Sequence, residues 1–96
     1  MTYTYHAQQR LQNRLACIVT HADIVQAVQS HIIPRGRCYL IVKHIPYTEI
    51  SDPTVKPDGI ARGDLIVAVI DNTNDIKIVT VLLRKSASKS LEYQYI

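Results

Sequence analysis

The stretch DLIVAVID, residues 64–71, constrains the fold more than any other part of the chain. Its interior is entirely apolar and rich in Val and Ile, which suit a pleated strand. A strand with one face in water alternates apolar and polar residues, whereas this run shows no such alternation. We therefore predict a central strand over 64–71 that is covered on both faces, of which packed helices can cover only one.

Two further segments have the composition of strands. CYLIVKHI (38–45) precedes the central run, and DIKIVTVLLR (75–84) follows it after the polar turn NTN. So short a turn between two apolar runs predicts that 64–71 and 75–84 pair antiparallel. The connection over 46–63 is long and rich in proline and glycine, and a short strand at YTEI would shorten it.

The N-terminal third has the periodicity of two helices. Over about residues 5–15, Ala7 and Leu11 fall in one stripe, and His6, Arg10 and Arg14 fall in the neighbouring stripe. The first stripe is expected to pack on the core, which leaves the His/Arg stripe at its boundary.

The second helix is predicted over about residues 20–33. Thr20 followed three residues later by Asp23 has the pattern of a capping box, and Val19 with Ile24 fits a hydrophobic staple around it. Pro34 is expected to stop the helix. Its buried face would consist of Ile24, Val25, Ala27, Val28 and Ile32.

These segments predict one α+β domain over 1–96, with two N-terminal helices packed on a three- to four-stranded antiparallel sheet. A chain of 96 residues, 47% of them hydrophobic, is long enough for one core without disulfides. The tail 85–96 ends in LEYQYI, which is either mobile or an edge strand.

The net charge of +3 permits an anionic partner without requiring one. The start MTYTYHAQQR has neither a basic beginning nor an apolar stretch of the kind that signals secretion, and the apolar runs are too short to span a bilayer. We therefore expect a cytoplasmic protein with no membrane partner and with reduced thiols at Cys17 and Cys38. The histidines and cysteines lack the spacing of structural zinc sites and no glycine-rich phosphate loop is present, so neither a metal nor a cofactor is expected.

The first helix opens His-Ala-x-x-Arg-Leu-x-x-x-Arg, a second helix follows, and the last strand reads IKIVTVLL. This arrangement resembles the barnase, EndoU, colicin and RelE-like ribonuclease assemblage of toxins, in particular an uncharacterised branch with an HA-x-x-R-hydrophobic-x-x-R signature. The resemblance implies metal-independent cleavage of RNA, either free or ribosome-associated. It also implies a partner of the antitoxin or immunity type.

Such cleavage needs a base for the 2′-hydroxyl, an acid for the leaving oxygen, and cations on the phosphorane. We predict that His6 transfers protons and that Arg10 and Arg14 hold the phosphate. A period of two places Thr80 and Arg84 on one face of the last strand, where both are candidates to meet the helix stripe. Thr80 is accordingly a fourth candidate for the catalytic site.

The remaining candidates would bind RNA through charge. Lys43 and His44 are neighbours on a strand and point to opposite faces, so only one of them can join the helix stripe. The residues alone leave that choice open. The full set of RNA-binding candidates is Arg35, Arg37, Lys43, His44 and Arg84.

Two other functions fit the same residues. Glutamines and an asparagine flank the basic stripe and no carboxylate lies near His6 in sequence, which favours a non-catalytic phage or mobile-element module that docks on a host protein or nucleic acid. Alternatively, the chain is a homo-oligomeric structural protein in which TYTYH and LEYQYI add edge strands to neighbouring copies. An exposed basic stripe can also be no more than the solvated face of a helix.

Overall fold

The computed structural model describes residues 1–13, 18–51 and 59–85. The elements in chain order are β1 (Thr2–Tyr3), α1 (Tyr5–Asn13), α2 (His21–Gln29), β2 (Gly36–Ser51), β3 (Ile60–Asn72) and β4 (Ile76–Arg84). The strands form one four-stranded sheet in the order β1-β4-β3-β2. The α+β class predicted from the sequence is confirmed.

The sheet is mixed, so the prediction of a purely antiparallel sheet is wrong. β1 precedes both helices and pairs parallel to β4, with Tyr3 opposite Ile78. The other two pairs, β2 with β3 and β3 with β4, are antiparallel. β1 is only two residues long, too short to show a strand pattern in the sequence.

β3 is the central strand that the apolar run predicts. Leu65, Ile66, Val67 and Ala68 are successive residues, so they point alternately to the two faces of the sheet, and each is 0% exposed. YTEI lies within β2, which reaches Ser51 and pairs with β3 along most of its length. The long connection predicted over 46–63 is shortened accordingly.

The helices begin where the sequence predicts. α2 is capped by Thr20, whose Oγ1 accepts from the Asp23 backbone N–H at 3.2 Å while the Thr20 N–H donates to Asp23 Oδ2 at 2.9 Å. α2 ends at Gln29, several residues before the predicted end, with Ser30 as its C-cap: the Ser30 N–H and Oγ both donate to the Gln26 carbonyl. Ile32 is therefore 90% exposed instead of buried.

The main core lies between the helices and one face of the sheet, which we call the helix face. The helices contribute Ala7, Ile24 and Ala27. The sheet contributes alternate residues of its three long strands, among them Cys38, Leu40, Ile66, Ala68, Ile70, Ile78, Val81 and Leu83.

Three register shifts interrupt the strands on either side of β3: two are bulges of one residue, and the third is a longer irregularity in β2 between His44 and Thr48. In β4, Ile78 pairs with Ile70 and Thr80 with Val69, which leaves Val79 as an extra residue. In β2, Ile41 pairs with Val67 and Lys43 with Ile66, which leaves Val42 extra. Each bulge shifts the in-and-out alternation of its strand by one residue.

Candidate functional site

The start of α1 is tied to the bulge of β4 by Thr4. Thr4 Oγ1 accepts from the Ala7 N–H at 3.1 Å and donates to the Val79 carbonyl at 2.6 Å. The Thr4 backbone also bonds to Ile78 and Gln8. One side chain thus caps α1 and fixes the helix on the sheet, and so sets the direction in which the first turn points.

His6 and Arg10, the first two members of the predicted stripe, are directly bonded. Arg10 Nε donates to His6 Nε2 at 3.0 Å. His6 is exposed, whereas Arg10 is only 9% exposed. In this arrangement the lone pair of His6 Nε2 accepts the Arg10 hydrogen bond. Arg14, the third member of the stripe, lies outside the described residues.

Thr80 and Arg84 lie on the sheet face opposite the helices, which we call the second face. The Val79 bulge places them there, because after the bulge Val81 and Leu83 are the residues of β4 that point to the helix face. The prediction that Thr80 and Arg84 meet the helix stripe is therefore wrong. The Thr80 hydroxyl oxygen is buried and has no hydrogen-bond partner in the part of the chain that the structure describes.

The Val42 bulge answers the question that Lys43 and His44 leave open in the sequence. Lys43 pairs with Ile66 and points to the helix face, where its Nζ lies 2.9 Å from Asp23 Oδ2. His44 is opposite Leu65 on the second face, and Arg84 flanks Leu65 from the other side. His44 and Arg84 therefore lie in one row across the sheet, and Lys43 does not belong to that row.

Asp23 combines a helix cap with an ion pair. The backbone hydrogen bond from Thr20 and then the hydrogen bond from Lys43 hold the pKa of Asp23 below its usual value. The carboxylate is therefore firmly charged at neutral pH, and it holds Lys43 against α2 instead of leaving that cation open to an anionic partner.

Arg35 and Arg37 lie at the far end of the sheet, beside the turn between β3 and β4. Arg35 Nη1 donates to the Thr73 carbonyl at 3.0 Å. Arg37 is exposed and faces Asp71 across the strand pair. The described candidates are thus divided among the α1 stripe, the helix face beside α2, the second face, and the turn between β3 and β4.

Sequence reasoning missed a cleft between α1 and the start of α2, with a volume of about 480 Å³. One wall is a pair of rings, Tyr3 from β1 and His21 from α2, with the Tyr3 hydroxyl 2.6 Å from His21 Nδ1. The ring centroids are 5.4 Å apart and tilted by 49°. Burial raises the pKa of the Tyr3 hydroxyl. The two residues are 18 positions apart, so only the tertiary fold brings them together.

The described residues contain no group of three or more His, Cys, Asp or Glu that could hold a metal ion. Cys38 is a free thiol that is 3% exposed, and burial raises its pKa. Cys17 lies outside the described residues. Among the helices described here, none is long and apolar enough to cross a membrane.

Comparison of the chain with protein-family models, with curated proteins and with solved structures gave no significant match. Membership of the RelE-like ribonuclease assemblage therefore stays a prediction that rests on a resemblance.

Proposed function

We propose that this chain is an RNA-directed domain of the RelE-like kind, a metal-independent endoribonuclease in which His6 transfers the proton. The observation that carries the proposal is the hydrogen bond from the buried Arg10 guanidinium to the exposed His6 ring. It gives a histidine at the surface a fixed orientation with a cation directly beside it. Both features suit a group that works on a phosphodiester.

The chemistry assigns a step to each of the two side chains. The 2′-oxygen of a ribose attacks the adjacent phosphorus, and the bond from phosphorus to the 5′-oxygen breaks. A base takes the 2′-hydroxyl proton and an acid returns a proton to the leaving oxygen, so the products are a 2′,3′-cyclic phosphate and a 5′-hydroxyl. The lone pair of His6 Nε2 is bonded to Arg10, so the phosphate must first draw the guanidinium onto its own oxygens. His6 can then accept the proton.

A second candidate is an RNA-binding domain without catalysis. The observation that favours it is the low exposure of Arg10, which is 9% exposed and already bonded to His6. If the guanidinium stays on the ring, His6 offers only its Nδ1–H, which can donate to a phosphate but cannot act as a base. In either case the protein partner would be an inhibitor of the antitoxin or immunity type.

The test uses wild-type protein, His6→Ala and His44→Ala, with circular dichroism to show that all three are folded. Each is incubated in EDTA with a labelled single-stranded RNA and, in parallel, with ribosomes carrying a messenger RNA. We expect wild-type protein and His44→Ala to cleave, and His6→Ala to be slower by about 10²–10⁴-fold, the usual contribution of general acid–base catalysis.

Other outcomes separate the remaining possibilities. Loss of cleavage in His44→Ala alone would move the site to the second face. If no protein cleaves either substrate, but wild-type protein binds the RNA with strong salt dependence and His6→Ala binds more weakly, the non-catalytic candidate is correct. Absence of both cleavage and binding would refute the RNA function.

A further inference from the structure

The cleft between α1 and α2 lies on the flank of α1 opposite His6. At 100° per residue, Gln8 lies about 160° and Gln12 about 120° around the helix from His6, and Tyr5 lies on the exposed arc between Gln12 and His6. Tyr5 is 76% exposed. A ligand strand that runs from the cleft to His6 over this arc therefore contacts the aromatic ring of Tyr5 on the way.

The walls of the cleft suit a flat ring. Tyr3 is held by its pairing with β4, and its hydrogen bond to His21 fixes the second ring at the start of α2. Leu11 and Val19 add apolar surface, and Val19 is only 2% exposed. The volume of about 480 Å³ falls within the range of clefts that hold small molecules.

Gln8 and Gln12 supply the polar part of the lining. They are four residues apart on α1 and therefore project from the same flank. Both side chains are exposed, so their carboxamides are open to a ligand in the cleft. Each carboxamide offers a donor and an acceptor side by side, which is the pattern that recognises the N6 and N7 edge of adenine.

We propose that the cleft holds one unpaired base of a single-stranded RNA, with adenine preferred. The base stacks on one ring of the tilted Tyr3 and His21 pair, the carboxamides of Gln8 and Gln12 bond to its edge, and the backbone passes Tyr5 toward His6. This inference rests on the proposed function for its choice of ligand. It adds a specificity site that is separate from the reacting phosphate.

The experiment has a direct arm and an RNA arm. In the direct arm, ¹⁵N-labelled protein is titrated with adenosine and, separately, with uridine, while the side-chain amide signals of Gln8, Gln12 and Gln29 are followed. Gln29 is an exposed glutamine of α2 that does not line the cleft, so it serves as the control. We expect adenosine to shift the Gln8 and Gln12 signals at lower concentration than uridine, and to leave Gln29 unchanged.

In the RNA arm, a labelled ten-nucleotide adenine RNA is compared with an abasic oligonucleotide of the same length and charge. We expect Gln8→Ala and Gln12→Ala each to weaken binding of the adenine RNA by about threefold to tenfold, which corresponds to one neutral hydrogen bond. The abasic strand should bind wild-type protein and both variants equally, and Gln29→Ala should match wild-type protein on both strands.

The two arms separate failure of the cleft from failure of the RNA function. Equal binding of the adenine and abasic strands by wild-type protein would overturn the base site, and leave the RNA function in place. Unchanged Gln8 and Gln12 signals at saturating adenosine would also overturn it. If adenosine shifts those signals but RNA is neither bound nor cleaved, the base site stands and the RNA function falls.

Discussion

Replacing Thr4 with valine tests how much one hydroxyl contributes to holding α1 on the sheet. Valine keeps the shape of threonine and removes both hydrogen bonds of Oγ1, one from the Ala7 N–H and one to the Val79 carbonyl. A lost N-cap costs about 1 kcal/mol, and the lost bond to a partly buried carbonyl costs about 1 kcal/mol more. We therefore expect the free energy of unfolding of Thr4→Val to fall by about 2 kcal/mol.

Urea unfolding followed by far-ultraviolet circular dichroism measures this change, and Thr4→Ser is the matched control because it keeps the hydroxyl. For a domain of this size the loss corresponds to a decrease in Tm of about 8–16 °C, whereas Thr4→Ser should stay within about 0.5 kcal/mol of wild-type protein. The reasoning is refuted if Thr4→Val unfolds at the wild-type urea concentration, or if both variants lose the same stability.

Two further predictions concern the sheet and the second helix. Thr80→Val removes a buried hydroxyl that has no partner among the described residues, so we expect the urea midpoint to rise by the equivalent of about 1 kcal/mol. A lower midpoint would show that the hydroxyl is bonded, and loss of RNA cleavage in the stabilised variant would restore Thr80 as a catalytic candidate. Asp23→Asn removes a carboxylate whose pKa in the folded protein is lowered by Thr20 and Lys43. The stability that this carboxylate contributes is present above about pH 4 and is lost as the pH falls through the pKa of Asp23 in the folded protein. Unfolding measured from pH 7 to pH 2 should show the wild-type advantage over Asp23→Asn disappearing in acid, and an advantage independent of pH would contradict the assignment.

Local patterns in the sequence predict the parts of the fold that depend on near neighbours. The unbroken apolar run over 64–71 correctly indicates a strand buried on both faces, because no polar residue has to reach water. The spacing of Thr20 and Asp23 correctly indicates the capping box, because both hydrogen bonds lie within one turn. The spacing of four correctly places His6 and Arg10 in one stripe of α1, where the structure adds a hydrogen bond between them.

The rest of the candidate site depends on features that local patterns do not contain. The Val79 bulge moves Thr80 and Arg84 to the second face, and nothing in IKIVTVLL marks which residue is the extra one. β1 is too short to be recognised as a strand. Tyr3 and His21 meet only because β1 pairs with β4 and places Tyr3 beside the start of α2. The cleft that Tyr3 and His21 line therefore cannot be predicted from local patterns in the sequence.

The two bulges also bear on which changes in length the protein can tolerate. Val42 and Val79 are the extra residues of the strands on either side of β3, so deleting either one removes its bulge and leaves the residues that follow opposite the same partners. An added residue between Thr80 and Val81 would instead turn Val81 toward the second face and Arg84 toward the core, because side chains alternate with a period of two. Relatives of this protein are therefore expected to differ by one residue at the bulges, and to keep the number of residues from Thr80 to Arg84 fixed.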